Sequence, residues 1–167
     1  MLKIYSGGQS GADLAGLLAA EICGIKTGGW APNGYRTEKG KQLCLRDRFH
    51  LREHAEWGYK PRTLLNVAES DVTIILSPAR SSSGTKLTIR ACNDNKPKKE
   101  YLLLSELSDI DSCVEQIFSF LCENEPEIIN VAGNRETVHP GLTRIGRDIL
   151  SKAFFKYKMH VNKTKEA

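Results

Sequence analysis

The opening stretch restricts the fold more than any other part of the chain. Leu2 to Ser6 reads as a short strand. Gly7-Gly8-Gln9-Ser10-Gly11 cannot stay in a regular element without conformational cost, so it is a loop. Ala12 to Cys23 then places Leu14, Leu17, Leu18 and Ile22 at helical spacing, with Gly24 positioned to end the helix. A strand that runs through glycines straight into a helix leaves the helix N-terminus at a sheet edge. Its free N–H groups and partial positive charge attract an oxyanion there.

The same alternation continues. Thr63 to Glu69 reads as a short helix and Val72 to Leu76 as a strand, bounded by Asp71 and Pro78. Ser81 to Gly84 is a small-residue loop opening a helix from Thr85 to Asn93. Tyr101 to Leu104 and Ile128 to Ala132 are strands, separated by a helix from Ile110 to Cys122. Gly133 to Gly141 is a third loop, and a last helix begins near Leu142. The order β-α-β-α-β-α-β-α predicts an α/β fold: a mainly parallel sheet, doubly wound, with helices on both faces. Residues 26 to 62, rich in Gly and Pro, are expected to form a long functional loop with little regular structure. Ligands of such sheets bind where loops leave the carboxyl ends of the strands, and the three small-residue loops all follow strands.

The chain of 167 residues is the size of one domain. Residues 1–157 are expected to form a single ligand-binding domain and 158–167 a basic, flexible tail. Hydrophobic residues at 40% and charged residues at 26% fit a soluble globular protein, and no apolar run approaches a membrane span. The N-terminus lacks the features of a signal peptide, and the five cysteines form no Cys-x-x-Cys pair, which points to a reducing cytoplasm. A net charge of +4 is too mild to indicate nucleic-acid binding.

The loops carry the candidate chemistry. Gly7, Gly8, Gln9, Ser10 and Gly11 would hold a phosphate, with Ser10 adding a hydroxyl donor. Asp13 would accept from a ribose hydroxyl or an arginine, or simply stabilise the helix dipole. Ser82, Ser83, Gly84 and Thr85 read either as a second phosphate site or as a capped turn. Gly133, Asn134 and Arg135 bring a guanidinium to the same edge, where it can clamp a phosphate in a bidentate way. Several familiar patterns are excluded. The first loop is not G-x-G-x-x-G, no Walker A loop is present, and Gly8-Gln9-Ser10-Gly11-Ala12 misses the serine elbow at its last position. His50-Leu51-Arg52-Glu53-His54 matches a zinc-peptidase signature, but its helical periodicity is weak and a third ligand is not evident. No catalytic residue and no metal site is assigned. An enzyme acting on a nucleotide would have to draw on Asp13, Glu38 or Asp47. Trp30, Trp57 and Tyr59 are candidates for packing or for oligomer contacts.

These blocks carry a family resemblance. Ile4 to Asp13 followed by Thr27-Gly28-Gly29-Trp30 resembles the opening of the putative molybdenum cofactor carrier family, within the Rossmann-like SLOG superfamily. The likeness continues through Pro32-Asn33-Gly34, Thr37 to Gly40, Leu51-Arg52-Glu53, Arg62-Thr63 with Asn66-Val67, Ser70-Asp71, Ser83-Gly84-Thr85 and Asn130 to Glu136, up to about Leu150. It implies a Rossmann-like homo-oligomer, a dimer or tetramer, that carries or senses a small molecule. The ligand implied is a phosphorylated pterin such as molybdenum cofactor, or a nucleotide derivative such as a cyclic nucleotide or ADP-ribose compound. The resemblance adds Trp30, Arg62, Thr63 and Asn66 to the expected binding residues. Leu14 stands where the family usually has arginine. Thr88 occupies the position of the catalytic glutamate in the phosphoribohydrolases that the second loop distantly resembles, which argues against glycosidic hydrolysis by that route.

Overall fold

The computed structural model describes residues 1–79 and 82–166. In chain order the elements begin with β1 (Lys3–Ser6), α1 (Ala12–Ile22), β2 (Lys26–Gly28) and β3 (Trp30–Ala31). Next come β4 (Arg36–Thr37), β5 (Gly40–Lys41), α2 (Cys44–Asp47), β6 (Arg52–Glu53) and α3 (Lys60–Glu69). The second half runs β7 (Val72–Leu76), α4 (Ser83–Asp94), β8 (Glu100–Leu104), α5 (Ile110–Asn124), β9 (Ile128–Gly133) and α6 (Leu142–Glu166).

Five strands form one parallel sheet in the order β2-β1-β9-β7-β8. The fold is therefore the expected Rossmann-like α/β arrangement. Side chains alternate across each strand, so the two faces differ in character. Ile4, Val72, Ile74, Leu76, Ile129 and Val131 face one side and join the main core with α1, α5 and α6. The other face, under α3 and α4, is partly polar. Thr73 and Asn130 are buried there, with Asn130 Nδ2 donating to Thr73 Oγ1 at 3.3 Å. A smaller apolar cluster of Val67, Ala91 and Cys92 seals that side.

One expectation needs correction. Residues 26 to 62 are not structureless: they hold β2, the start of α3, a parallel pair β3-β6 and an antiparallel hairpin β4-β5. Strands of two or three residues carry no readable period, which is why the sequence hides them. The segment also has a core of its own, where Ala31, Tyr35, Leu45, Phe49 and Leu51 close against Leu17 of α1. At the end of the chain, α6 runs through Glu166. Tyr157 is buried and Val161 packs on the core, which extends the apolar stripe of the helix. Two of its basic residues have local partners: Lys156 reaches Glu115 at 2.5 Å and Lys158 Nζ donates to the Cys23 carbonyl at 2.9 Å. Among the described residues no helix is long and apolar enough to cross a membrane.

Candidate functional site

The central strands β1, β9 and β7 are neighbours, so the loops that follow them emerge side by side at the carboxyl edge. This is where the chain reverses its direction of travel across the sheet, the usual ligand position in open α/β folds.

The loop after β1 does not offer the free donors expected of it. The Gly8 N–H donates to Ser6 Oγ at 3.5 Å, Gln9 N–H to Asp13 Oδ2 at 3.2 Å and Ser10 N–H to Gln9 Oε1 at 3.1 Å. Gly11 N–H donates to Thr143 Oγ1, and Ala12 N–H to the Asn134 carbonyl, each at 3.0 Å. The glycines face protein as well. A Cβ on Gly7 would lie 1.5 Å from Arg62 Nη1, and one on Gly8 would lie 2.8 Å from the Leu45 methyls. Gly11, at φ +81°, would bring a Cβ to 2.4 Å from the Asn134 carbonyl oxygen. Gly8 and Gly11, both at positive φ, thus sit against protein, and the N–H groups of Gly8, Gln9, Ser10 and Gly11 already have protein acceptors.

Ser10 belongs to the same seam. Its Oγ donates to Glu38 Oε1 and accepts from the Glu136 N–H at 3.2 Å. Thr137 Oγ1 donates to Glu38 Oε2 at 2.5 Å, so one carboxylate ties the β4-β5 hairpin to the first and third loops. Burial acts to raise the Glu38 pKa, but the hydroxyls of Ser10 and Thr137 and the charge of Arg135 outweigh it and hold the group below its usual value. Glu136 caps α6: Oε2 accepts from Thr143 N–H at 2.8 Å and Oε1 from Gly141 N–H at 2.6 Å. Here too burial acts to raise the pKa, and the Thr143 and Gly141 donors bring it below the usual range.

The second loop is joined to the third by a buried polar cluster. Asn134 Oδ1 accepts from Ala79 N–H at 3.0 Å and Ser77 Oγ at 3.3 Å, and Asn134 Nδ2 donates to Thr85 Oγ1 at 3.4 Å. Ser82 is the N-cap of α4, its Oγ accepting from Thr85 N–H at 3.1 Å. The first residue of the expected loop, Ser81, lies outside the described residues. Asn66 acts as a staple elsewhere. Its Oδ1 accepts from Trp30 N–H at 2.8 Å, and its Nδ2 donates to the Trp30 carbonyl at 3.0 Å. Gly7, Gly8, Ser10, Gly11, Trp30, Asn66, Thr85 and Asn134 all have protein contacts, and none of them is among the residues lining the open cleft.

That cleft has a volume of about 540 Å³. It brings together the predicted Gln9, Asp13, Arg62, Thr63, Ser82, Ser83, Gly84, Gly133 and Arg135. It also recruits Tyr59, Lys60, Leu87, Thr88, Thr137 and Val138, which sequence reasoning did not assign to binding. The signal for Lys60 was Pro61: proline at the first helical positions starts α3 three residues earlier than expected and puts Lys60 and Arg62 in its first turn. Tyr59 carries the guanidinium of Arg135 at 4.6 Å from its ring centroid. The other two candidate aromatics are covered in the same way, Trp30 by Arg52 at 4.1 Å and Trp57 by Arg36 at 4.4 Å.

The floor of the cleft is buried and the rim is exposed. On the floor, Arg62 Nη1 donates to Asp13 Oδ2 at 3.0 Å. Of the partners left open for Asp13, the structure places an arginine beside it. Burial pushes its carboxyl above the usual range, against the pull of Arg62 and of the Gln9 N–H. Two buried donors on the floor have no partner: Gln9 Nε2 and Arg62 Nε. On the rim, no ion pair is found for Lys60 or Arg135 among the described residues. Gly84, at the start of α4, borders open space. A second cleft of about 550 Å³ lies where α1 ends and β2 begins. It contains the ion pair of Arg48 with Glu21 at 2.5 Å, so those charges are already matched. The His50–His54 segment forms no helix, since Arg52–Glu53 is a strand whose Glu53 accepts from Gly34 N–H at 2.5 Å. Among the described residues no group of His, Cys, Asp and Glu is placed to hold a metal ion.

Fold and site define an α/β Rossmann-like protein with a donor-rich cleft at the carboxyl edge of its sheet. Residues 4–154 match the model of the circularly permutated YpsA SLOG family, and the chain belongs to that family. It is also similar to a crystal structure from Syntrophus aciditrophicus SB described as that of a "Putative molybdenum carrier protein". The identity is 32%, the TM-score is 0.82, and the match covers 92% of this chain and 94% of that one. Among curated proteins none matches.

Proposed function

We propose that this protein binds a phosphate-bearing small molecule as a carrier or sensor, and that the cleft between the first turns of α3 and α4 is the binding site. The ligand is a phosphorylated pterin of the molybdenum-cofactor type or a nucleotide derivative. The observation that carries this reading is the imbalance of donors on the cleft wall. Among the described residues Arg62 Nε and Gln9 Nε2 have no acceptor and Lys60 and Arg135 no ion pair, while the one carboxylate on the floor is already held by Arg62. Buried donors left unmatched cost stability, so an acceptor-rich ligand is their natural complement. The name of the similar crystal structure supports the carrier reading.

Mass spectrometry of small molecules released from natively purified protein tests this directly. The expected result is a phosphorylated compound in near-stoichiometric amount, with retention lost in the double variant Lys60→Gln/Arg135→Gln. If nothing phosphorylated co-purifies and neither inorganic phosphate nor any nucleotide or pterin monophosphate raises the melting temperature, the reading fails. The family resemblance also carries the expectation of a dimer or tetramer, which sedimentation equilibrium decides.

A further inference from the structure

Within the cleft the charge is not spread evenly. The rim carries Lys60 and Arg135 beside the exposed Ser83 and Gly84 at the start of α4. The floor carries one positive and one negative group, Arg62 and Asp13, in contact at 3.0 Å with side chains only 11% and 5% exposed. The floor is therefore close to neutral as a unit, whereas the rim has two cations with no ion pair among the described residues, Arg135 resting on the Tyr59 ring. An anion gains most at the rim, and an added charge on the floor would meet a pair that is already compensated.

The floor is nonetheless not apolar. Gln9 is 3% exposed, and the orientation of its amide follows from its neighbours. Its oxygen accepts two N–H groups, from Ser10 at 3.1 Å and from Glu38 at 2.9 Å. Neither of those donors would tolerate an NH₂ in its place, so Oε1 must face them and Nε2 is the end left over. Arg62 repeats the pattern: Nη1 is committed to Asp13, and Nε, buried where the guanidinium passes over Gly7, has no acceptor. Two buried donors on a neutral floor call for hydrogen-bond acceptors that carry no charge.

We infer that the cleft binds its ligand in one direction, with a phosphate at the Lys60–Arg135 rim and an uncharged, acceptor-bearing end on the Gln9–Arg62 floor. The ligand class is a phosphomonoester whose other end bears hydroxyl, carbonyl or ring-nitrogen acceptors. An apolar tail or a second anion does not suit the floor. This deepens the proposed function and rests on it.

The test is a set of binding isotherms for five probes: inorganic phosphate, phenyl phosphate, ribose 5-phosphate, guanosine 5′-monophosphate and ribose 1,5-bisphosphate. Ribose 5-phosphate or the nucleotide is expected to bind at least about tenfold more tightly than phosphate, the difference an unmatched buried donor makes. Which of the two gains shows whether sugar hydroxyls or ring acceptors reach the floor. Phenyl phosphate is expected to stay within about threefold of phosphate. The protein-side arm uses the ratio of the better probe's affinity to that of phosphate, so that any general effect of added charge cancels. Gln9→Glu keeps an oxygen for Ser10 and Glu38 and removes the Nε2 donor, and the ratio should fall toward one. Arg135→Gln should weaken both probes and leave the ratio unchanged. Three results would overturn the inference while leaving the site intact: phenyl phosphate matching the better probe, the bisphosphate exceeding it, or a ratio unmoved by Gln9→Glu. If none of the five binds, phosphate included, the proposed site itself fails and the inference with it.

Discussion

The first loop and the facing wall of the cleft are both rich in hydrogen-bond donors, yet they use them in opposite ways. In the loop from Gly7 to Gly11, the N–H groups of Gly8, Gln9, Ser10 and Gly11 all have protein acceptors. Across the cleft, Arg62 Nε has no acceptor, and Lys60 and Arg135 have no ion-pair partner among the described residues. A glycine-rich turn opening a helix has the composition of a phosphate site, but composition does not say whether its donors are free. Here they are committed to holding three loops and a hairpin in register. The groups left for a ligand come from α3, from α4, from Arg135 and from the side-chain amide of Gln9.

This contrast can be broken by mutation, and the seam should respond most. Gly133 has φ +149°, and a Cβ on it would lie 1.9 Å from the Leu76 carbonyl oxygen in the neighbouring strand. Gly133→Ala should therefore cost more than about 4 kcal/mol, read by urea unfolding, since strand backbone must move. Asn134→Ala leaves Ala79 N–H and the hydroxyls of Ser77 and Thr85 without their shared partner; a loss of about 2–3 kcal/mol is expected in the same assay. Arg135→Gln should behave in the opposite sense. Its stability should change by no more than about 1 kcal/mol, the worth of the Tyr59 contact, while affinity for a phosphomonoester falls about 10- to 100-fold in calorimetry.

The two regions also differ in the sign of their pH response. Glu38 and Glu136 lie below their usual 4.5 in the folded protein, so the stability they contribute is present above 4.5 and is lost as pH falls through their folded values. Asp13 lies above its usual 3.8, so the folded state holds its proton more tightly and this group's contribution declines as pH rises from 3.8 through its folded value. Glu38→Gln should flatten the acid side of a stability–pH curve, and Asp13→Asn should steepen it. Parallel shifts in the two curves would contradict the assignment. The smallest effect is expected at Trp57, 69% exposed beneath Arg36. Trp57→Ala should cost about 0.5–1 kcal/mol in thermal unfolding and leave ligand affinity unchanged.

Much of the architecture was legible in the residues. The runs at Leu2 to Ser6, Val72 to Leu76, Tyr101 to Leu104 and Ile128 to Ala132 became the strands β1, β7, β8 and β9, and the three loops after strands meet at one edge. β2 was not legible, because three residues show no alternation and its only cue is its pairing with β1. The role of the glycines was hidden for a different reason. Whether a missing Cβ makes room for a ligand or for protein depends on neighbours distant in sequence, such as Arg62 over Gly7 and Leu45 beside Gly8. Gln9, Asp13 and Arg135 were expected at the site from type and place and Arg62 from the family resemblance, and all four line the cleft. That Gln9 would contribute its NH₂ end followed only once Glu38 was seen to hold its oxygen.

The claim that the cleft wall and not the glycine loop receives the phosphate is open to one direct measurement. It is a crystal structure of the protein with a phosphorothioate monoester, the anomalous sulfur signal marking the phosphate. The account predicts that signal beside Arg135, Lys60 and the first turn of α4. A signal seated on the backbone of Gly8 to Gly11, with the Ser10–Glu38 contact opened, would contradict it.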